Sequence, residues 1–62
     1  MVVDRLLYRP AEVGDAIGVS RARAYELIAA GVIPSIRIGS SIRVPADSLR
    51  AWIAKKVEEQ AR

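Results

Sequence analysis

Four arginines, Arg21, Arg23, Arg37 and Arg43, stand between Gly18 and Ala46 with a single acid, Glu26, among them. A guanidinium stays charged at neutral pH and presents a planar fork of donors that fits phosphate oxygens. Outside that window six basic residues face six acidic ones, so the window carries the whole net charge of +3. A local cationic surface is the footprint of a polyanion-binding face. Other chemistries lack their residues. Without Cys or His there is no disulfide, thiolate nucleophile, imidazole base or Cys/His metal site. No nucleophile–base pair or phosphate loop is visible, and Gly39-Ser40-Ser41 is turn chemistry. The expectation is binding without catalysis, without a metal and without a cofactor.

Two helices must position the first pair of arginines. Leu6, Leu7 and Tyr8 form an apolar lead-in with the character of a short strand. Pro10 fits the first turn of a helix, with Arg9 as a poor cap and Glu12 complementing the helix dipole. Val13, Ala16 and Ile17 recur at helical spacing and are expected to face the core. Gly14 weakens this helix and leaves room for close approach of the next one. Gly18 supplies turn freedom, Ser20 caps the second helix, and Gly31 ends it in a left-handed conformation. Ala24, Leu27 and Ile28 form the inward stripe of the second helix. Its other side carries Ala22, Glu26 and Ala29 flanked by Tyr25 and Arg23, with Arg21 in the first turn. This small-residue face suits close approach to another surface, although alanine is also chosen for helix propensity alone. Glu26 can accept from a cytosine amino group or pair with Arg23, its one basic neighbour at helical spacing. A helix, a Gly-containing turn and a second helix make a helix-turn-helix, whose second helix enters the DNA major groove.

The second pair of arginines sits in a hairpin. The stretch Ile33-Pro-Ser-Ile-Arg-Ile-Gly-Ser-Ser-Ile-Arg-Val-Pro45 alternates apolar and polar on both sides of Gly39-Ser40-Ser41. Placing Ile36, Ile38, Ile42 and Val44 on one face sets Ile38 opposite Ile42 across a three-residue turn. That register also sets Arg37 opposite Arg43, a like-charge pair that a polyanion would relieve. A last helix starts at about Ala46 with Asp47 in its first turn. Leu49, Trp52, Ile53 and Val57 keep the spacing of a core face, and Trp52 is expected to anchor the core. Residues 58–62 are expected to form a frayed, solvated tail.

With 62 residues the chain makes one small, marginally stable domain over residues 6–57. No apolar run approaches a membrane span, and the first residues lack a secretory core. A small domain without staples points to a reducing, intracellular setting, the cytoplasm. The fold class is α+β, mostly α: a winged helix-turn-helix with a two-stranded wing and a C-terminal helix.

In this order of elements the chain resembles the excisionase-like members of the broad MerR-type winged-helix group. Their pattern is Glu-Val-Ala-x-x-Leu-Gly-Val-Ser, then Tyr-x-Leu-Ile-x-x-Gly-x-Ile/Leu-Pro. A wing of Arg-Ile-Gly-x-x-x-Arg-Ile/Val-Pro and a helix of Leu-x-x-Trp-Ile/Leu follow. The matching positions begin with Glu12, Val13, Ile17, Gly18, Val19, Ser20, Tyr25, Leu27, Ile28, Gly31, Ile33 and Pro34. They continue through Arg37, Ile38, Gly39, Arg43, Val44, Pro45, Leu49, Trp52 and Ile53. Gly14 stands where alanine is usual, and Ser40 and Ser41 where basic residues are common.

The resemblance implies a non-enzymatic, sequence-specific DNA-binding protein, most like a phage or prophage excisionase (a recombination directionality factor). Such a protein bends double-stranded DNA and redirects a partner integrase towards excision. In that reading Ser20, Arg21 and Arg23 meet the groove edge and phosphates, while Ala22, Tyr25 and Glu26 face the bases. Arg37, Ser40, Ser41 and Arg43 are the wing contacts. Two alternatives share the residues: a stand-alone transcriptional regulator of the same fold, and a protein-interaction module using the wing and last helix. A single module of this size covers only ~600–1,000 Å² of protein surface on DNA. The protein is therefore expected to be monomeric when free and to bind beside neighbouring copies of itself, with no membrane partner.

Overall fold

The computed structural model describes residues 5–61. Strand β1 (Leu7–Tyr8) precedes helices α1 (Pro10–Ile17) and α2 (Arg21–Ala29). Strands β2 (Ile36–Ile38) and β3 (Ser41–Pro45) form the wing, and helix α3 (Ala46–Gln60) follows. The arrangement is an α+β winged helix-turn-helix. The lead-in adds a third strand to the sheet, giving the antiparallel order β1-β3-β2. Leu7 pairs with Pro45 and Tyr8 with Val44.

Local chemistry sets the helix ends. Pro10 opens α1, and Glu12 Oε1 accepts the Arg9 amide N–H at 2.8 Å, which makes up for the poor cap. Arg5 Nη1 approaches the other Glu12 oxygen at 2.6 Å. At the head of α2 the Ser20 hydroxyl accepts the Arg23 amide N–H at 3.1 Å. At its foot Gly31 takes a φ of +76°. There the Gly31 amide donates to the Ile28 carbonyl and the Val32 amide to the Leu27 carbonyl, the paired bonds of a Schellman end. Gly14 admits α2 closely: a Cβ there would lie 3.2 Å from the Val19 carbonyl oxygen and 3.4 Å from Ala24 Cβ.

Val13, Ile28, Ile33, Val44 and Leu49 form the buried core, with Tyr8, Ile17, Leu27, Ile42 and Trp52 packed around it half-buried. Ala24 is fully buried as well. Three expectations fail at the margins. Ala16 is exposed, because the core contact of α1 runs through Val13 and Gly14 instead. Ile53 and Val57 are exposed at 39% and 64%, because the far half of α3 extends past the other elements. The segment from Glu58 is helical as far as Gln60 rather than frayed, with Lys56 Nζ 3.3 Å from Glu59 Oε1. Arg62 lies outside the described residues.

The wing departs from the expected register. Ile36 pairs with Arg43, Arg37 with Ile42, and Ile38 with Ser41. The turn therefore contains two residues, Gly39 and Ser40, with φ of +61° at Gly39, where a type II′ hairpin turn takes glycine. Shortening the turn by one residue turns β2 over. Ile42 and Val44 keep the core face, now with Arg37 beside them. Ile36 and Ile38 share the outer face with Ser41 and Arg43. The four apolar residues do not share a face, and Arg37 does not oppose Arg43. Core contact ends at Ile42 and Val44, so nothing holds β2's isoleucines inward.

Candidate nucleic-acid interface

Helix α2 turns Ala24 and Ile28 into the core and leaves Arg21, Ala22, Arg23, Tyr25, Glu26 and Ala29 exposed. Ser20, at its head, is exposed too. The face is thus free along both turns. Ala22 in its middle carries only a methyl group, and Arg21 and Arg23 flank it in sequence. Arg23 Nη1 lies 3.4 Å from Glu26 Oε1, so the intrahelical ion pair forms. Among the described residues Arg21 and Arg37 have no carboxylate within ion-pair distance.

The corrected register separates the wing arginines. Arg37 lines a shallow groove between α2 and the wing, together with Tyr25, Ile28, Ala29, Ser35, Ile36 and Ile42. The guanidinium of the wing and the phenol of the helix thus flank one surface. Arg43 lies half-buried on the opposite face, and its Nη1 donates to the Ile42 carbonyl at 2.8 Å. Ser40 is exposed at the tip, while Ser41, the first residue of β3, is half-buried. Of the expected contacts the structure brings Tyr25 and Arg37 to one groove, pairs Arg23 with Glu26, leaves Ser20, Arg21 and Ala22 exposed along α2, and sets Arg43 on the other face of the wing.

Ser35 in the groove, and the exposure of Ile38, escape the sequence reading. The signal that could have revealed them is Gly39 as the first residue of a two-residue turn. Trp52 lines an apolar cleft with Ile17, Val19, Leu27, Ile53 and Val57. Lys56 Nζ lies 5.8 Å from the centre of the indole ring. Among the described residues no group of three or more Asp and Glu is gathered for a metal ion, and no helix is long and apolar enough to cross a membrane.

Comparison with known proteins agrees with this geometry. The family described as helix-turn-helix domain matches residues 7–57, from β1 into the last turns of α3. A protein of Saccharopolyspora erythraea described as a probable excisionase is 31% identical over 58 residues, 94% of this chain and 59% of that protein. The chain thus spans about three-fifths of the length of that relative. No solved structure matches. With the match covering both helices, the turn between them and the wing, the chain belongs to the helix-turn-helix domain family.

Proposed function

We propose that this chain is a sequence-specific, double-stranded-DNA-binding architectural protein of the excisionase type, with no catalytic role. It lays α2 in the major groove, bends the duplex, and directs an integrase towards excision. The observation that carries the reading is the bare outer face of α2, with Arg21 and Arg23 astride Ala22, beside a wing whose Arg37 shares its groove with Tyr25. Ser20, Arg21, Arg23 and Arg37 serve phosphates, and Ala22, Tyr25 and Glu26 face base edges. Ser40 lies at the wing tip, with Ser41 and Arg43 as its outer contacts. The likeness to a probable excisionase supports the excision role. A single small module binds weakly, so occupancy rests on several copies side by side on tandem sites.

Selection of bound duplexes from a random-sequence library, followed by footprinting and a salt titration, tests the binding reading. Log affinity should fall linearly with log salt, with a slope of about −0.9 per phosphate neutralised. Binding that ignores salt would overturn it. An excision assay with the integrase encoded nearest the gene tests the biological role. A stable dimer on one palindrome of straight DNA would instead favour a transcriptional regulator.

A further inference from the structure

Ile53 and Val57 are exposed on the far half of α3. Both are β-branched, which lowers helix propensity, so they do not serve the helix. Neither belongs to the buried core, so folding does not account for them. With Trp52 and Lys56 they form one wall of a cleft of about 650 Å³. Ile17, Val19 and Leu27 form the other wall. The lining residues include one charged group, Lys56, and no carboxylate. A smaller groove, also lined by Trp52, holds Val32, Pro34 and Ala51 with Lys55, again its one charge. The chain's one indole thus has a lysine in the apolar groove on either flank. Leu27 lies two residues from both Tyr25 and Ala29, roughly 200° of helical turn. The cleft and the groove beside the wing therefore lie on opposite sides of α2.

We propose that this cleft docks an amphipathic helix of a partner protein, one that carries Asp or Glu beside its apolar face. Shape selects a helix. Over residues 52–60 the α3 wall runs about 12 Å, the reach of apolar residues at i, i+4 and i+7. Both walls are built on helices, so an extended segment would find no free backbone groups to pair with. A small ligand buries roughly 70–90% of its surface when bound, more than walls this exposed supply. Charge selects the partner. A second copy laying the same stripe against its twin would set Lys56, the midpoint of residues 52–60, beside its symmetry mate. The wing of a neighbouring copy would bring Arg37 and Arg43 to the lysine. Both contacts join like charges, whereas a carboxylate complements the site. Glu59, with Oε1 3.3 Å from Lys56 Nζ, shows the same chemistry, and that exposed pair exchanges at little cost. Partner and duplex take opposite sides of α2, and the assignment stands whether or not a duplex binds.

A displayed library of helical peptides, with leucine fixed at i, i+4 and i+7 and the flanking positions random, is selected against the whole chain without DNA. Asp and Glu should be enriched at the flanks. An enriched peptide should shift the emission of Trp52. Val57→Ser should weaken that peptide about tenfold, with a thermal melt close to wild type because the side chain is exposed. Lys56→Glu should also weaken it, and a fresh selection against this variant should turn the flanks to Lys and Arg. No enrichment, enrichment of Lys and Arg by wild type, or a peptide indifferent to both substitutions would overturn the proposal. So would sedimentation showing a dimer that Val57→Ser disperses, since a second copy would then be the occupant. The emission shift should be the same with selected duplex present. Competition between peptide and duplex would place them on one face and overturn the proposal, whereas a duplex that does not bind would overturn the DNA-binding reading alone.

Discussion

Glu12 holds the start of α1 through charge. It accepts the Arg9 amide N–H and lies beside the Arg5 guanidinium, and these hold its carboxyl below the ordinary value of 4.5 against an opposing effect of partial burial. A lowered folded-state pKa stabilises the fold above the ordinary value, and that contribution is lost as pH falls through the lowered one. Glu12→Gln should therefore melt below wild type at neutral pH, and the gap should narrow as pH falls below 4.5. A gap independent of pH would mean that the group acts by shape alone. Glu26 is a different case. Its pair with Arg23 is exposed on both sides, and such pairs add little stability. Glu26→Ala should leave the melting temperature almost unchanged. It should also tighten binding to random duplex and narrow the preference for the selected site, because a negative charge and a base acceptor leave the DNA face together. Fluorescence anisotropy with the two duplexes measures this, and unchanged discrimination would exclude Glu26 from base contact.

At the scale of elements the wing arginines have separate tasks. Arg37→Ala should weaken selected and random duplexes alike and reduce the magnitude of the salt slope by about 0.9. Arg43→Ala should affect DNA less. It should instead destabilise the free protein by about 0.5–1.5 kcal/mol, because its hydrogen bond to the Ile42 carbonyl is part-buried. Paired salt titrations and thermal melts check both halves, and the reverse order would contradict the register. Relief of a like-charge pair plays no part in either effect, because Arg43 stands opposite Ile36 rather than Arg37. Helix ends were legible because single residues determine them: Pro10, Ser20 and Gly31 each act within one turn. The exposed face of α2 was legible for the same reason, since helical spacing follows from its own residues. The faces of β2 were not. Alternation in Ile36-Arg37-Ile38 fits either side of a sheet, and the choice depends on the turn and on how far the core reaches. The limits of α3's apolar stripe were equally hidden, since Ile53 and Val57 keep helical spacing beyond the elements that could cover them.

The whole molecule rests on few buried side chains. Ile33 is fully buried and stands between α2 and the wing. Ile33→Ala should cost about 2–5 kcal/mol. Domains of this size lie at the low end of a stability range of ~5–15 kcal/mol. The free variant should thus keep only about 0–3 kcal/mol of stability and melt well below wild type. Duplex at a hundred times its dissociation constant should recover about 2.7 kcal/mol of stability, enough to restore folded signal. Circular dichroism and Trp52 fluorescence, with and without selected duplex, measure it. A free variant melting within ~1 kcal/mol of wild type would show that Ile33 is not a keystone.

The pairing of β1 with β3 fastens the chain into a ring. Helices α1 and α2 and the β2–β3 hairpin each assemble from neighbours in sequence. By contrast, Leu7, Tyr8 and the Leu6 carbonyl, which accepts the Ala46 amide N–H at 2.8 Å, reach across nearly the whole domain. Closing so long a loop is entropically the dearest step, and only a short ladder holds it. Strand β1 should thus close last in folding and open first in the native ensemble. Inside the ring lie α2 and the wing, linked along the chain by residues 30–35 and in space by the core side chains Ile28, Ile33 and Val44. On the DNA-binding reading proposed above, the clasp at the first strand bears on the spacing at which helix and hairpin would straddle a duplex. A lesion far from any phosphate, at Leu7 or Tyr8, would act as a calibration error in that span.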